Sequence, residues 1–149
     1  MLTAFDKELL NIIQTRLPIE SSPFARVAEC LNVDEATVLE RLRWLKDHGY
    51  IRRLGAFFDS ACLGYVSTLA AVKVCPTSIE AVARAINAYP GVTHNYEREG
   101  EYNIWFTLLT ADQDEQDRTL AAIAGLPGVD SLISLPAIEK YKVSVEFNL

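Results

Sequence analysis

A chain of 149 residues, 50% hydrophobic and 23% charged, has room for one mid-sized domain or two small ones and enough apolar content to bury a core. That balance excludes wholesale disorder, fibrous repeats and low complexity. The net charge of −6 divides as −1 over residues 1–60 and −5 over residues 61–149, so neither half has the broad basic surface on which phosphate-backbone affinity rests.

The first 60 residues read as three helices and a short wing. Thr3 is a good N-cap with Asp6 three residues on, and Phe5, Leu9, Leu10, Ile12 and Ile13 recur at helical spacing, which predicts helix one over 3–16. Ser22-Pro23 opens the second helix, whose apolar face is Phe24, Val27, Ala28 and Leu31, with Cys30 expected as core filler. After a tight turn at Asn32-Val33, Asp34 caps a third helix with Val38, Leu42 and Leu45 inward, ended by Gly49. His48, in its last turn, suits the helix dipole and reads as structural. Residues 50–58, β-prone and broken by Gly55, predict a hairpin wing. Three helices, a tight turn and a hairpin make a winged helix-turn-helix over 1–60.

Residues 59–64 read as a linker, and from there strands and helices alternate. Strands are expected over 65–74, 92–98, 102–109 and 129–135, with helices over 79–89 and 112–124 and a final segment over 138–147. The order βαββαβ predicts a ferredoxin-like domain over 65–149, hence an α+β protein of two domains. A weak internal repeat, Tyr89-Pro90-Gly91-Val92 against Leu126-Pro127-Gly128-Val129, fits the pseudo-twofold symmetry of that fold.

Several chemistries are excluded. Three Cys with no Cys-x-x-Cys, and only two His, argue against a disulfide framework and a multi-histidine metal site. Gly91 and Gly100 are isolated turn glycines rather than a phosphate loop. No apolar run approaches the roughly 20 residues that cross a bilayer. Residues 1–6 lack the pattern of a secretory leader, so a cytoplasmic location is expected.

His94, Tyr96 and Arg98 alternate along one expected strand and so share a sheet face. On the next strand Ile104, Phe106 and Leu108 suit packing under helices, while Asn103, Trp105 and Thr107 point the other way. An open face with His94, Tyr96, Arg98 and Trp105 offers a proton donor, an anion binder and a flat aromatic wall; the plainer reading makes them surface or interface residues.

The architecture resembles the Lrp/AsnC family of transcription regulators over nearly the whole chain, through residues 31–53 and Leu63-Gly64-Tyr65. Within that fold, Arg52-Arg53-Leu54-Gly55-Ala56, His94-Asn95-Tyr96-Glu97-Arg98 and Tyr102-Asn103-Ile104-Trp105-Phe106-Thr107, in that order, resemble the siroheme decarboxylase branch. The resemblance implies loss of CO2 from two acetate side chains of siroheme, giving didecarboxysiroheme for heme or heme d1 biosynthesis. It makes His94 and Tyr96 the expected catalytic residues, and Arg52, Arg53, Arg98, Trp105 and Asn103 the expected substrate contacts. His94 as proton donor and His94 as axial ligand to the substrate's iron both stay open. No separate cofactor is expected, since the iron arrives with the tetrapyrrole, and heme is a conceivable product or regulator. Lys140 and Lys142 are weaker carboxylate-binding candidates.

A macrocycle about as broad as one such domain implies a partner, more readily a paralogous subunit of similar size in a heterodimer than a second copy in a homodimer. The alternatives are a regulator binding DNA and a small effector, and a supporting subunit of the decarboxylase. Against DNA, residues 34–47 carry three basic and four acidic side chains. No specific DNA binding and no membrane partner are expected.

Overall fold

The protein's structure, a computed structural model, describes residues 1–15, 17–56, 58–142 and 146–149. It divides into two compact units, Met1–Ala56 with Lys142–Leu149, and Phe57–Tyr141. The last residues, counted from sequence with the second domain, therefore cluster with the first.

In the first unit, helices α1 (Ala4–Thr15), α2 (Pro23–Leu31) and α3 (Glu35–Asp47) surround a core of Leu9, Val27, Ala28, Val38, Leu42 and Leu45. The capping box at α1 is reciprocal: Asp6 N–H donates to Thr3 Oγ1 at 3.2 Å, and Thr3 N–H donates to Asp6 Oδ2 at 2.7 Å. Asp34 caps α3 by accepting from Thr37 N–H at 2.7 Å. Asn32 turns the chain between α2 and α3 at φ 53°, a left-handed conformation that Asn tolerates better than most side chains. Gln14 clamps the chain end by donating from Nε2 to Phe147 O at 2.7 Å and accepting from Phe147 N–H at 2.9 Å.

Two local expectations are corrected. Cys30 is exposed: Val27, Ala28 and Leu31 take the inward side of α2, and position 30 falls off that stripe. The hairpin wing is not formed among the described residues 50–56 and 58, which carry no strand. Tyr50 and Ile51 instead donate both backbone N–H groups to Leu45 O, at 2.9 and 3.2 Å, and Ile51 packs on the helical core. Those bonds commit the first arm to the end of α3.

The second unit is a four-stranded antiparallel sheet in the order β2-β3-β1-β4, from β1 (Val66–Val74), β2 (Val92–Glu97), β3 (Ile104–Thr110) and β4 (Val129–Leu135). This is the ferredoxin-like order. A 3-10 turn, Pro76–Ser78, leads into helix α4 (Ile79–Asn87), and α5 (Gln113–Ala124) precedes β4. The helices cover one face, burying Ala70, Val72, Val74, Ile104, Phe106 and Leu108 of the strands against Val82, Ile86, Leu120 and Ile123. Strict alternation of buried and half-buried residues along β3 is the expected signature of a sheet with one covered face. At Gly91 the chain passes so close to β3 that any Cβ would run into the carbonyl of Leu109, whose N–H donates to Gly91 O at 2.8 Å.

Candidate functional site

The uncovered face of the second unit is set by strand register. His94 lies opposite Thr107 and Tyr96 opposite Trp105, while Asn95 points under α4, donating from Nδ2 to Ala83 O at 3.1 Å and Asn87 Oδ1 at 2.9 Å. Trp105 and Ile133 flank Ala71, which is fully covered even on this side. Leu69, Tyr96 and Leu135 remain over 40% exposed. The face is thus apolar and aromatic around Leu69, Trp105 and Ile133, with polar groups along its β2 edge and Lys73 and Ser131 at one end of β1 and β4.

The structure brings His94, Tyr96, Arg98 and Trp105 together there. The His94 and Tyr96 rings lie 6.2 Å apart at 29°. Arg98, just past the end of β2, holds its guanidinium 6.0 Å from the Trp105 ring. The Trp105 indole N–H donates to Tyr102 O at 2.8 Å, so it presents an aromatic wall with no spare donor. Arg98, Trp105, Leu69, Tyr102, Glu99 and Glu101 line an open cleft of about 380 Å³. Glu101 is paired with Lys73 at 3.1 Å, and its hydrogen bond raises the Lys73 pKa from the ordinary lysine value.

His94 is held by one ring nitrogen. Its Nδ1 lies 3.1 Å from Thr93 Oγ1 and 3.3 Å from Thr107 Oγ1, and those hydroxyls are 2.9 Å from each other. Among the described residues Nε2 has no partner. Thr93 is the extra residue of a β-bulge between Val92, opposite Leu108, and His94, opposite Thr107. Sequence reading placed Thr107 on the open face but joined neither it nor Thr93 to His94, since a bulge has no fixed composition.

Asn103, expected as a substrate contact, is also tied to the fold. Its Oδ1 accepts from Val74 N–H at 2.9 Å and its Nδ2 donates to Val74 O at 2.8 Å, extending the β1–β3 ladder with a side-chain amide. Each end of that amide makes one of these bonds. Arg52 and Arg53 are exposed residues of the first unit, where Arg53 Nη2 donates to Ala56 O at 3.3 Å. Lys140 lies 3.5 Å from Asp59, whose pKa is lowered chiefly by backbone N–H bonds from Cys62 and Ala61; Lys142 is exposed. His48 caps α3 and stacks on Trp44 at 4.0 Å, as suits a structural residue. No cluster of three metal-ligating side chains occurs among the described residues, and no helix among them is long and apolar enough to cross a membrane.

Fold and site together define a two-domain protein of the AsnC type, a helix-turn-helix unit joined to a ferredoxin-like ligand-binding unit. An AsnC-like ligand-binding domain model matches residues 62–142, and a siroheme decarboxylase NirDL-like HTH domain model matches residues 6–52. Escherichia coli AsnC shares the fold, with a TM-score of 0.82 at 17% identity and 98% of each chain covered. The chain is 46% identical over 146 residues to the siroheme decarboxylase alpha subunit of Desulfovibrio desulfuricans, covering 98% of this chain and 84% of that one. It is 42% identical to the siroheme decarboxylase NirD subunit of Pseudomonas aeruginosa (96% and 94% covered) and 37% identical to the NirG subunit of the same organism (97% and 98%). The crystal structure of siroheme decarboxylase NirDL in complex with an iron-uroporphyrin III analogue matches with a TM-score of 0.67 at 31% identity, over 93% of this chain and 47% of that one. This chain belongs to the siroheme decarboxylase subunit family.

Proposed function

We propose that this chain binds siroheme on the bare face of its second unit and protonates the carbon left by each departing CO2, working with a paralogous subunit. The observation that carries the reading is the Nε2 of His94, without a partner among the described residues, beside Tyr96 on a face walled by Trp105 and edged by Arg98. Siroheme is flat, aromatic and rich in carboxylates. A ring face suits Trp105, and a carboxylate suits the two-pronged guanidinium of Arg98. An apolar surround favours decarboxylation, because water stabilises the carboxylate more than CO2.

In the reaction the C–C bond to the carboxylate breaks and its electron pair stays on the acetate methylene. That carbon takes a proton and becomes a methyl group as CO2 leaves. His94 gives the proton through Nε2, and Tyr96 flanks the ring as a second donor. The central iron belongs to the substrate.

The DNA-binding reading is weakened by helix α3 itself. Arg41, one of its three basic residues, is held by Asp6 and lies 4.2 Å from the Trp44 ring. The carboxylates of Glu35, Glu40 and Asp47 lie on the same helix.

The test is anaerobic incubation of the chain with siroheme, alone and with its related subunit, read by mass spectrometry. The expected result is stepwise loss of two CO2 with a change in the visible spectrum, requiring both chains, and abolished by His94→Ala in a folded protein. Siroheme left intact by both chains together overturns the function. Full turnover by an isolated monomer overturns the need for a partner.

A further inference from the structure

We propose that Thr93 and Thr107 are positioning residues for His94: the bulge in β2 brings their hydroxyls onto Nδ1, and this pair aims Nε2 at the bare face of the sheet. The inference rests on the function proposed above for His94.

On a regular strand the side chains of residues 93 and 94 point to opposite faces, and Thr93 would lie under the helices with Asn95. The bulge places one extra residue opposite Thr107, so both Thr93 and His94 meet Thr107 on the uncovered side. Three polar atoms then form a small triangle: Thr93 Oγ1 to Thr107 Oγ1 at 2.9 Å, and each to His94 Nδ1, at 3.1 and 3.3 Å.

The chemistry of hydroxyls matters to a proton donor. Two hydroxyls carry two protons. One is shared between the oxygens and the other is donated to Nδ1 when that nitrogen is bare. When Nδ1 carries a proton, the same oxygens accept it. As the acid, the imidazolium gives up its Nε2 proton and keeps the one on Nδ1. The hydroxyl oxygens accept that Nδ1 proton before and after the transfer, so the ring holds one orientation through the step. A carboxylate in the same place only accepts, and favours one charge state. The His χ2 torsion is broad and roughly two-fold, so a ring without this support also samples orientations that turn Nε2 away from the substrate. Small misplacements of a reacting group are costly in rate.

The test uses the chain with its related subunit and siroheme, comparing Thr93→Val and Thr107→Val with Thr93→Ser and Thr107→Ser. Valine keeps the β-branched shape that suits a strand, and serine keeps the hydroxyl. The expected result is a fall in kcat of about tenfold for each valine variant, the equivalent of one ordinary hydrogen bond. KM should stay within roughly twofold, and the serine variants should recover most of the rate. Valine variants that turn over like the wild type, or serine variants as impaired as the valine ones, overturn the proposal.

A second measurement needs no turnover. The chain has only two histidines, so imidazole 15N spectra, assigned with His94→Gln, isolate the His94 ring. Its Nδ1 signal should shift in the Thr93→Val/Thr107→Val double variant, and an unmoved signal overturns the proposal. If the wild-type assembly releases no CO2, the function assigned to His94 fails, and the 15N result alone decides whether the threonines hold the ring.

Discussion

Asp6 and Arg41, 35 positions apart, form a two-pronged ion pair that joins the first turn of α1 to α3: Nε to Oδ1 at 2.5 Å and Nη2 to Oδ2 at 2.9 Å. Asp6 is fully buried, and its Oδ2 also accepts from the backbone and hydroxyl of Thr3, both at 2.7 Å. The hydrogen bonds of Arg41, with those of Thr3, hold the Asp6 carboxyl well below the usual carboxylate range against the opposing effect of its own burial. Arg41 is raised in turn, chiefly by its bond to Asp6.

A carboxyl whose pKa is lowered by folding stabilises the fold above its unfolded value of about 4, and that contribution is lost as pH falls further. Asp6→Asn should therefore destabilise the first unit by about 3 kcal/mol at pH 7, since it strands a partly buried Arg41, with a smaller difference from wild type below about pH 4. Urea unfolding followed by tryptophan fluorescence at several pH values checks this. An equal loss at all pH values contradicts it.

Arg98→Lys should raise KM for siroheme by about fivefold to tenfold with a smaller change in kcat, because an ammonium neither grips a carboxylate with two parallel bonds nor lies flat beside Trp105. Steady-state kinetics separate the two parameters. A fall in kcat alone would place Arg98 in the chemistry rather than in binding.

Asn103→Ala removes both bonds to Val74, and should cost about 1–2 kcal/mol of stability. Enzyme that remains folded should keep the wild-type KM. Denaturation paired with kinetics tests this, and a selective rise in KM would return Asn103 to the substrate contacts.

With Arg41 engaged in the fold, α3 offers Arg43 and Lys46 against Glu35, Glu40 and Asp47. Mobility-shift assays at physiological salt should show no specific complex. Tight binding that weakens steeply with added salt would contradict this, since such a slope counts the phosphates neutralised.

Much of this was legible in the sequence, because caps, helical stripes, alternation and Pro-Gly breaks are local signals written within a few residues. Thr3, Asp6 and Asp34 cap helices by bonds spanning three positions. The apolar alternation of β3 named its buried face in advance. The order of elements, with short connections, left few ways to arrange four antiparallel strands. The open face bearing His94, Tyr96 and Trp105 followed from the same alternation.

The tertiary structure decided what depends on partners distant in the chain. Asp6 looked like a cap alone, and only the packing of α1 on α3 makes it the counter-ion of Arg41. Nothing local showed that Asn103 also holds the fold, which needs β3 beside β1, where its side-chain amide takes over the backbone bonds of Val74. The wing arm went to Leu45 at the end of α3. The bulge at Thr93, one residue out of step with β3, exists only in the pairing of two strands, and it gives His94 its two hydroxyl neighbours. Periodicity assigns a side chain to a face, whereas register and strand neighbours determine which polar atoms on that face meet.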